Sequence, residues 1–392
     1  MNINIATSPH HQNIIPPRRP VLKAIGLGGG GSNAINRMIE LGLSGVESIA
    51  ANTDAQALSS SLDPVNIQLG PHITRGLGAG GSPAIGAKAA AESYKTLCQD
   101  LSRADLVFLT AGMGGGTGTG SIAVAARAAK AVGAVTVAIV TMPFAFEVGR
   151  RQANARMGLQ NLRPYTDTLI AIPNERLVDL GKPDLTLDMA FRLADDILRQ
   201  GIQGISELIT ETGLINVDFA HVRRVMQNGG GSLLAIGYGE GEDKAIQAID
   251  RALHHPLLDT INIENATGIL ANFTTGPDVT FMEVVDALNE LQARSNFQAE
   301  IIPGVTTSES MENRVQVILV ITGLAGTPVQ NTFKIEARDP ITEPVSIPEP
   351  EKSLTPEPEF ETVGTGSPYG DLDLPAFMRR RIRRQVTVNC HG

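Results

Sequence analysis

A run of seven small residues, residues 114–120, lies between a strongly apolar segment and a segment with helical periodicity. Glycine adopts positive φ angles without strain and lets the backbone approach a bound group closely. The free N–H groups at the start of a helix, together with the helix dipole, favour a phosphate. The motif GxxxxGK[ST] does not occur in the sequence, which excludes a P-loop NTPase. The run therefore predicts a phosphate-binding turn between a buried strand and a helix.

Two further glycine clusters have a similar setting. Residues 26–33 follow a strand-like run and fit GxGxxG, and residues 76–83 precede another helical segment. Two such turns at the carboxyl ends of strands in one sheet imply a ligand with several phosphates. The alternatives are glycines that only permit close packing, a plain mobile loop at residues 76–83, and an NAD-dependent oxidoreductase with Asp54 as its ribose acid. The run at residues 114–120 and the lack of a His/Arg pair suited to hydride transfer oppose the oxidoreductase.

Strand and helix patterns alternate along the chain. This alternation predicts an α/β fold with a doubly wound parallel sheet. Apolar residues at three-to-four spacing predict one long, mostly buried central helix over residues 187–209. Strands beyond this helix predict a second, smaller α/β domain. The strand-like runs are residues 21–27, 46–51, 106–110, 135–141, 168–172, 232–237, 268–273 and 315–321.

The ends of the chain differ in composition from its middle. Between Asp339 and Pro368 there are seven prolines and seven acidic residues against the single Lys352, a composition that predicts an extended tether. A short apolar stretch followed by five arginines then predicts a docking peptide. The predicted organisation is a disordered arm (1–20), a nucleotide-binding domain (21–187), the central helix (188–212), a C-terminal α/β domain (213–324), an acidic Pro-rich linker (325–370) and a docking peptide (371–392).

Composition limits the class of protein. The formal net charge of −9 argues against a nucleic-acid binder. No run of 18 apolar residues and no signal-peptide core occur in the sequence, so we expect a cytoplasmic protein without a membrane span. Cys98 and Cys390 are the only cysteines, which excludes a disulfide framework.

The run GMGGGTGTG at residues 112–120 resembles the signature loop of the tubulin/FtsZ family of GTPases. The resemblance extends over residues 21–323, and the segment DLDLPAFMRRR near the end of the chain is similar to the tail peptide by which members of the family dock to membrane anchors. The other matching motifs are GLGGGGSNA (26–34), NTDAQAL (52–58), GLGAGGSP (76–83), PFAFEVGRR (143–151), IPNERL (172–177), AFRLADDIL (190–198), GISELI (204–209) and NVDFA (216–220).

This resemblance implies that GTP or GDP is bound, with Mg²⁺ as the cation that neutralises the phosphates. It places Glu147 and Arg151 at the ribose and phosphates, and Asp54 near the phosphates, while the metal ligands stay unassigned. A solvated surface pair is the alternative for Glu147 and Arg151. The phosphate-binding residues implied are Gly29, Gly30, Gly31, Ser32, Asn33, Ala79, Gly80, Gly114, Gly115, Gly116, Thr117, Gly118 and Thr119.

For the base, the resemblance implies Asn174, Phe191 and Asp196. A carboxylate accepts hydrogen bonds from both N1–H and the exocyclic amine of guanine, so Asp196 is predicted to set the specificity. Phe191 is predicted to stack on the base, and a purely structural core position is its alternative.

Hydrolysis in the family is completed by an acidic loop of the next subunit, which the resemblance places at Asn216, Asp218 and His221. His221 stands where the family has a second aspartate, and a neutral imidazole supplies no second negative charge. The consequences left open are a substitute base, a slow GTPase or an inactive site. The alternative is a helix residue without a chemical task.

The function that the resemblance implies is a polymerising cytoskeletal GTPase of bacterial cell division. Its partners are further copies of itself, head to tail in a division ring, and a membrane-anchor protein that binds residues 371–384. We expect it in the cytoplasm, concentrated at the division site. The alternative is a non-hydrolysing paralogue that co-polymerises with a competent one.

Overall fold

The computed structural model describes residues 18–147, 149–178, 186–211, 213–215, 217–227, 231–254 and 263–324. Residues 1–17 of the predicted arm, the predicted linker and the predicted docking peptide lie outside these ranges.

The strands of the described residues are β1 Leu22–Leu27, β2 Glu47–Asn52, β3 Asn66–Gln68, β4 Leu106–Gly112, β5 Val135–Met142, β6 Thr168–Pro173, β7 Gly231–Glu240, β8 Gly268–Thr275, β9 Glu300–Thr307 and β10 Arg314–Leu324. They form one sheet in the order β3-β2-β1-β4-β5-β6-β7-β10-β8-β9.

The helices of the described residues are α1 Gly28–Glu40, α2 Ala55–Ser59, α3 Pro71–Thr74, α4 Pro83–Glu92, α5 Tyr94–Asp100, α6 Thr117–Ala131, α7 Arg150–Leu162, α8 Asn174–Val178, α9 Leu187–Thr210, α10 Phe219–Gln227, α11 Lys244–Leu253 and α12 Phe281–Arg294. Short 3₁₀ turns occupy Arg163–Tyr165, Ile263–Asn265 and Glu309–Met311.

The first half of the sheet is parallel from β3 to β6 and is covered by helices on both faces. On one face, α4, α5, α6 and α7 bury a core rich in alanine; on the other, α1, α9 and α10 bury Ile35, Met38 and Ile197 among others. Strand β5 is buried along its whole length, as expected for a parallel strand that is covered on both sides. The predicted doubly wound fold is therefore confirmed.

The second half joins the first through the pair Ile170 and Ser232, the one register pair between β6 and β7 in the described residues. Beyond it, β10 runs antiparallel to both β7 and β8, while β8 and β9 are parallel. Helix α9 contributes Ile202 and Ile205 to a core that also contains Ile318 of β10. The long helix therefore packs against both halves.

The sequence patterns did not predict β9. This strand contains Pro303 and Gly304, which both weaken a strand pattern. Proline is tolerated here because β9 is an edge strand, where a missing N–H disrupts no central ladder.

None of the helices in these described ranges combines the length and apolar character that crossing a bilayer requires.

Helices α4 and α6 approach each other closely because glycines lie at their contact. A Cβ atom on Gly120 would be 2.0 Å from the carbonyl oxygen of Pro83, and one on Gly86 would be 2.3 Å from that of Gly116. The start of α6 is thus held against α4 by backbone contact, which fixes the glycine turn that precedes it.

Gly120→Ala is expected to lower the free energy of unfolding by about 2 kcal/mol or more, because the added methyl group overlaps a main-chain atom that cannot move aside. Urea denaturation without nucleotide measures the change. Gly29→Ala is the control, since its Cβ would meet no atom within 4 Å. Equal unfolding free energies for the two variants would contradict the expected overlap.

Candidate nucleotide-binding site

A cavity of about 420 Å³ lies at the carboxyl ends of the parallel strands. Leu27 ends β1, Gly112 ends β4 and Met142 ends β5, and all three line it. This is the edge at which open α/β sheets bind their ligands. The predicted site residues that line the cavity are Gly29, Gly30, Asn33, Gly115, Gly116, Thr117, Gly118, Glu147, Arg151, Asn174 and Phe191.

Two helices begin at this cavity. Helix α1 begins at Gly28, which has a φ of +69°, and α6 begins at Thr117, directly after the glycine turn. Among the described glycines, Gly29 and Gly115 alone combine an ordinary φ with no atom within 4 Å of a built Cβ, and both line the cavity. The arrangement leaves room for an anion beside main-chain N–H groups at two helix N-termini.

Four residues predicted at the phosphates do not line the cavity: Gly31, Ser32, Gly114 and Thr119. A Cβ on Gly31 would be 2.5 Å from the carbonyl oxygen of Thr110, so this glycine serves packing. The hydroxyl group of Thr119 is buried and accepts a hydrogen bond from Gly114 N at 2.8 Å. That bond occupies the N–H that was expected to bind phosphate. Ser32 is also buried.

Three other predicted residues, Asp54, Ala79 and Gly80, lie outside the cavity lining. Asp54 caps α2, where its Oδ1 atom accepts hydrogen bonds from Gln56 N at 2.9 Å and Ala57 N at 3.2 Å. Ala79 is buried against the glycine turn, because a Cβ on Gly116 would be 3.0 Å from the Ala79 Cβ. Gly80 is exposed, with a φ of +56°.

The structure places Asp195 in the cavity lining, and not Asp196, the acid predicted to bind the base. Residues 191 and 195 lie one helical turn apart on α9, whereas residue 196 is rotated about 140° away from residue 191. Asp195 lines the cavity beside Phe191. Asp196 instead accepts hydrogen bonds from Arg199 Nε at 2.9 Å and Gln200 Nε2 at 2.6 Å. A helical count from Phe191 would have identified Asp195.

Asn174, Asp195 and Phe191 line one end of the cavity. The Oδ1 atom of Asn174 is buried without a hydrogen-bond partner. Burial raises the pKa of Asp195 from an ordinary 3.8 to about 7, and the positive charge of Arg37 opposes the rise only in part. The ring of Phe144 meets Phe191 edge-on, with 5.4 Å between ring centroids. This end therefore offers two acceptor groups and an exposed aromatic ring to a flat ligand that carries donors.

Glu147 and Arg151 form a close ion pair at the mouth of the cavity. The Oε1 atom of Glu147 also accepts a hydrogen bond from Phe144 N at 3.0 Å. The carboxylate is 10% exposed and the guanidinium-bearing side chain 58% exposed. The acid is thus held in the wall by two hydrogen bonds, while the paired arginine is largely exposed to solvent.

Two of the predicted catalytic residues, Asp218 and His221, lie at the opposite edge of the sheet. Asp218 lines a second cavity, of about 530 Å³, together with Pro20 and Asp105. Those two residues precede the amino ends of β1 and β4. His221 is exposed on the first turn of α10, and its main-chain N–H donates a hydrogen bond to the carbonyl oxygen of Asp218 at 2.9 Å. Asn216 lies outside the described residues.

Within the part of the chain that the structure describes, no group of three or more His, Cys, Asp or Glu residues is arranged to hold a metal ion. A cation bound here would rely chiefly on ligand oxygens and water, as Mg²⁺ commonly does beside phosphates.

Known proteins resemble the chain over most of its length. Residues 21–182 match the model of the Tubulin/FtsZ family GTPase domain, and residues 230–325 match that of the FtsZ family C-terminal domain. The Cell division protein FtsZ of Wolbachia sp is 40% identical, covering 94% of this chain and 98% of that protein. The structure titled "FtsZ dimer, empty" from M. jannaschii aligns with a TM-score of 0.74 at 44% identity, covering 78% of this chain and 89% of that one. CetZ2 from Haloferax volcanii, a GTPγS-bound protofilament, shares the fold at 20% identity, with a TM-score of 0.66 over 79% of this chain and 96% of that one.

Asp195→Asn is expected to weaken GDP binding by about tenfold or more, because a charge-assisted pair of acceptors is replaced by one acceptor and one donor. Wild-type affinity should rise severalfold from pH 6 to pH 8, as Asp195 ionises through its pKa of about 7. The variant should lose this dependence. Isothermal titration at several pH values measures both effects.

Asp196→Asn is the matched control, since it alters the neighbouring carboxylate outside the cavity. Without nucleotide, the folded protein holds a proton on Asp195 that the unfolded chain releases near pH 4. The free energy of unfolding should therefore fall as pH rises from about 4 to about 7 and level off above that. Loss of affinity in Asp196→Asn but not in Asp195→Asn would overturn the assignment.

Proposed function

Because this chain belongs to the tubulin/FtsZ family and is a cell-division GTPase of the FtsZ type, we propose that it assembles head to tail into filaments. Each copy binds GTP in the cavity at the carboxyl ends of its strands. The next copy in the filament completes the hydrolytic site with the loop that contains Asp218.

The observation that carries this proposal is the distance between the nucleotide cavity and Asp218. The nucleotide cavity adjoins the end of β4, and the cavity with Asp218 adjoins its beginning. Seven strand residues at about 3.3 Å each separate the edges by roughly 20 Å. One copy therefore cannot bring Asp218 to its own nucleotide without unfolding. A contact between two unlike faces does not close on itself and produces a filament.

Guanine is recognised at the start of α9. The Asp195 carboxylate accepts hydrogen bonds from N1–H and the exocyclic amine, and the buried Oδ1 atom of Asn174 accepts from a remaining donor of the nucleotide. The ring of Phe191 stacks on the base, which is worth about 1–3 kcal/mol by comparison with other base-binding proteins. Adenine has no donor at N1, so the site selects GTP over ATP.

The ribose and phosphates occupy the rest of the cavity. Glu147 accepts hydrogen bonds from the ribose hydroxyls, and the more exposed Arg151 approaches the phosphates. Main-chain N–H groups of Gly29, Gly30 and residues 115–118 bind the phosphate oxygens. Mg²⁺ neutralises charge on the phosphates, with its remaining positions held by water.

Hydrolysis depends on a water molecule at the contact between copies. Asp218 polarises this water, while its Oδ1 atom also accepts a hydrogen bond from Ala220 N at 3.1 Å, which orients the carboxylate at the start of α10. His221 stands beside Asp218, where the family has a second aspartate. Since a neutral imidazole supplies no negative charge, turnover is slow.

His221 also favours a second candidate function. In this alternative, the chain is a non-hydrolysing copolymer subunit whose filaments take their hydrolytic loop from a competent paralogue. Phosphate release by the purified protein alone, as a function of its concentration, separates the two functions.

The proposal extends to cellular position. The segment 371–384 lies outside the described residues, and its apolar residues followed by five arginines suit a groove in an acidic membrane-anchor protein. The protein then acts in the cytoplasm at the division site, and the long acidic linker spaces the filament from the membrane.

Mixing two inactive variants tests the shared site. Asp218→Ala retains an intact cavity, and Asp195→Ala retains an intact loop, so each alone should release little phosphate from GTP. In a random one-to-one mixture about a quarter of contacts pair an intact cavity with an intact Asp218, and activity should recover to about that fraction. Asp218→Ala mixed with Asp218→Asn is the control, because both lesions lie on one face. Failure of the first mixture to recover would refute hydrolysis between copies.

His221→Asp should raise the GTPase rate about threefold or more, because a second carboxylate helps to polarise the attacking water. Phosphate release above the assembly concentration measures the rate. His254→Asp, at an exposed histidine after α11, is the control and should leave the rate unchanged. A rate in His221→Asp that is equal to or below that of wild type is incompatible with this explanation of slow turnover.

A further inference from the structure

The loop of residues 76–82 reaches the glycine turn that precedes α6 without lining the cavity. Gly76, Gly78, Gly80 and Gly81 all have positive φ angles, and the last three have no atom within 4 Å of a built Cβ. Gly80 and Gly81 are exposed, while Ala79 is buried against the turn. Exposed glycines with positive φ angles are easily displaced where nothing holds them. Whatever ties it down therefore controls its position.

The two ends of this loop are bonded to its surroundings. At the first end, Gly78 N donates to the carbonyl oxygen of Thr53 at 3.3 Å. At the second, the loop backbone lies against the glycine turn, because a Cβ on Gly116 would be 2.7 Å from Ser82 N. The tip between these points is held by a side chain from α7.

That side chain is Asn154. Its Nδ2 atom donates to the carbonyl oxygen of Gly81 at 3.3 Å and to that of Gly114 at 3.2 Å. A primary amide has two N–H donors and can satisfy both carbonyl oxygens, and the two acceptors fix which way the amide faces. The backbone of α7 also lies close, since a Cβ on Gly114 would be 3.1 Å from the carbonyl oxygen of Arg151. One residue thus joins the loop of residues 76–82 to the turn of the cavity.

We propose that Asn154 is a positioning residue for the third phosphate of GTP, which holds the loop of residues 76–82 beside the turn at residues 114–116. The inference rests on the proposed function. In the proposed function, a third phosphate extends the nucleotide along the glycine turn. Gly115 and Gly116 of this turn line the cavity, and Ala79 and Ser82 lie against Gly116. GDP leaves this position unfilled. The loop held by Asn154 therefore contributes to the binding of GTP and not of GDP.

The substitutions are chosen to separate the effect of the Asn154 amide group from that of its position on α7. Aspartate has nearly the same shape but no donor, and its charge would face two carbonyl oxygens. Glutamine keeps the amide with one additional methylene group. Asn161, exposed on the same helix, provides a control of identical residue type.

The test compares binding of GTPγS and GDP to the full-length chain. Asn154→Ala and Asn154→Asp should each weaken GTPγS about fivefold, with aspartate the more severe, and leave GDP unchanged. Asn154→Gln should restore part of the loss, and Asn161→Ala should behave as wild type. Trypsin cleavage after the exposed Arg75 should be slowed by GTPγS in wild type and much less in Asn154→Ala.

Equal weakening of both nucleotides, or of neither, would overturn the positioning role. If Asn154→Ala and Asn154→Asp unfold, Asn154→Gln decides the question: it should weaken GTPγS less than fivefold without changing GDP, and GTPγS should slow its cleavage after Arg75 less than in wild type. A wild-type protein that binds GTPγS no better than ATPγS would instead refute the proposed function, so the two failures are distinguishable.

Discussion

The nucleotide site depends on main chain meeting main chain with no side chain between. A Cβ on Gly31 would be 2.5 Å from the carbonyl oxygen of Thr110, and one on Gly118 would be 2.9 Å from that of Leu27. These contacts pull the first turns of α1 and α6 against the ends of β4 and β1. Both helix N-termini then face one volume, where their free N–H groups and dipoles add. Gly29 and Gly115 face that volume with open space, so the glycine-rich runs serve close packing and ligand access at once.

The second constraint is distance along the fold. Helix α9 has 24 residues and is about 36 Å long; it carries Asp195 near its first end and leads to Asp218 beyond its last. Side chains along it bond in sequence: Arg199 to Gln203, then Gln203 Nε2 to Glu207 Oε1 at 2.6 Å, while Asn272 of β8 donates to Glu207 at 3.3 Å. Helix α9, with side-chain hydrogen bonds along it, thus connects the cavity that contains Asp195 to the region of the cavity that contains Asp218. In the proposed filament, this length is what makes hydrolysis a property of assembly.

Asp195 and Asp218 have the same carboxylate group in different environments, and the proposed function gives them different tasks. Asp195 is desolvated in the cavity wall, which raises its pKa to about 7. Asp218 is exposed at the start of a helix, where it accepts a hydrogen bond from the main chain. In the proposed function the first recognises the base, and the second meets water only when another copy encloses it.

The sequence alone determined the doubly wound sheet, the long helix and the glycine turns, because apolar periodicity and glycine runs are local patterns that set local structure. It did not determine which of two adjacent acids faces the cavity: Asp195 and Asp196 differ only in rotation about α9, and the packing of that helix decides it. Nor did it distinguish Gly31 and Thr119, which serve packing and support, from Gly29 and Gly115, which line the cavity. Asn154 gave no signal, since its two acceptors are the carbonyl oxygens of Gly81 and Gly114, in segments distant along the chain. Only the tertiary structure brings such groups together, because hydrogen bonds between distant segments depend on how the elements pack.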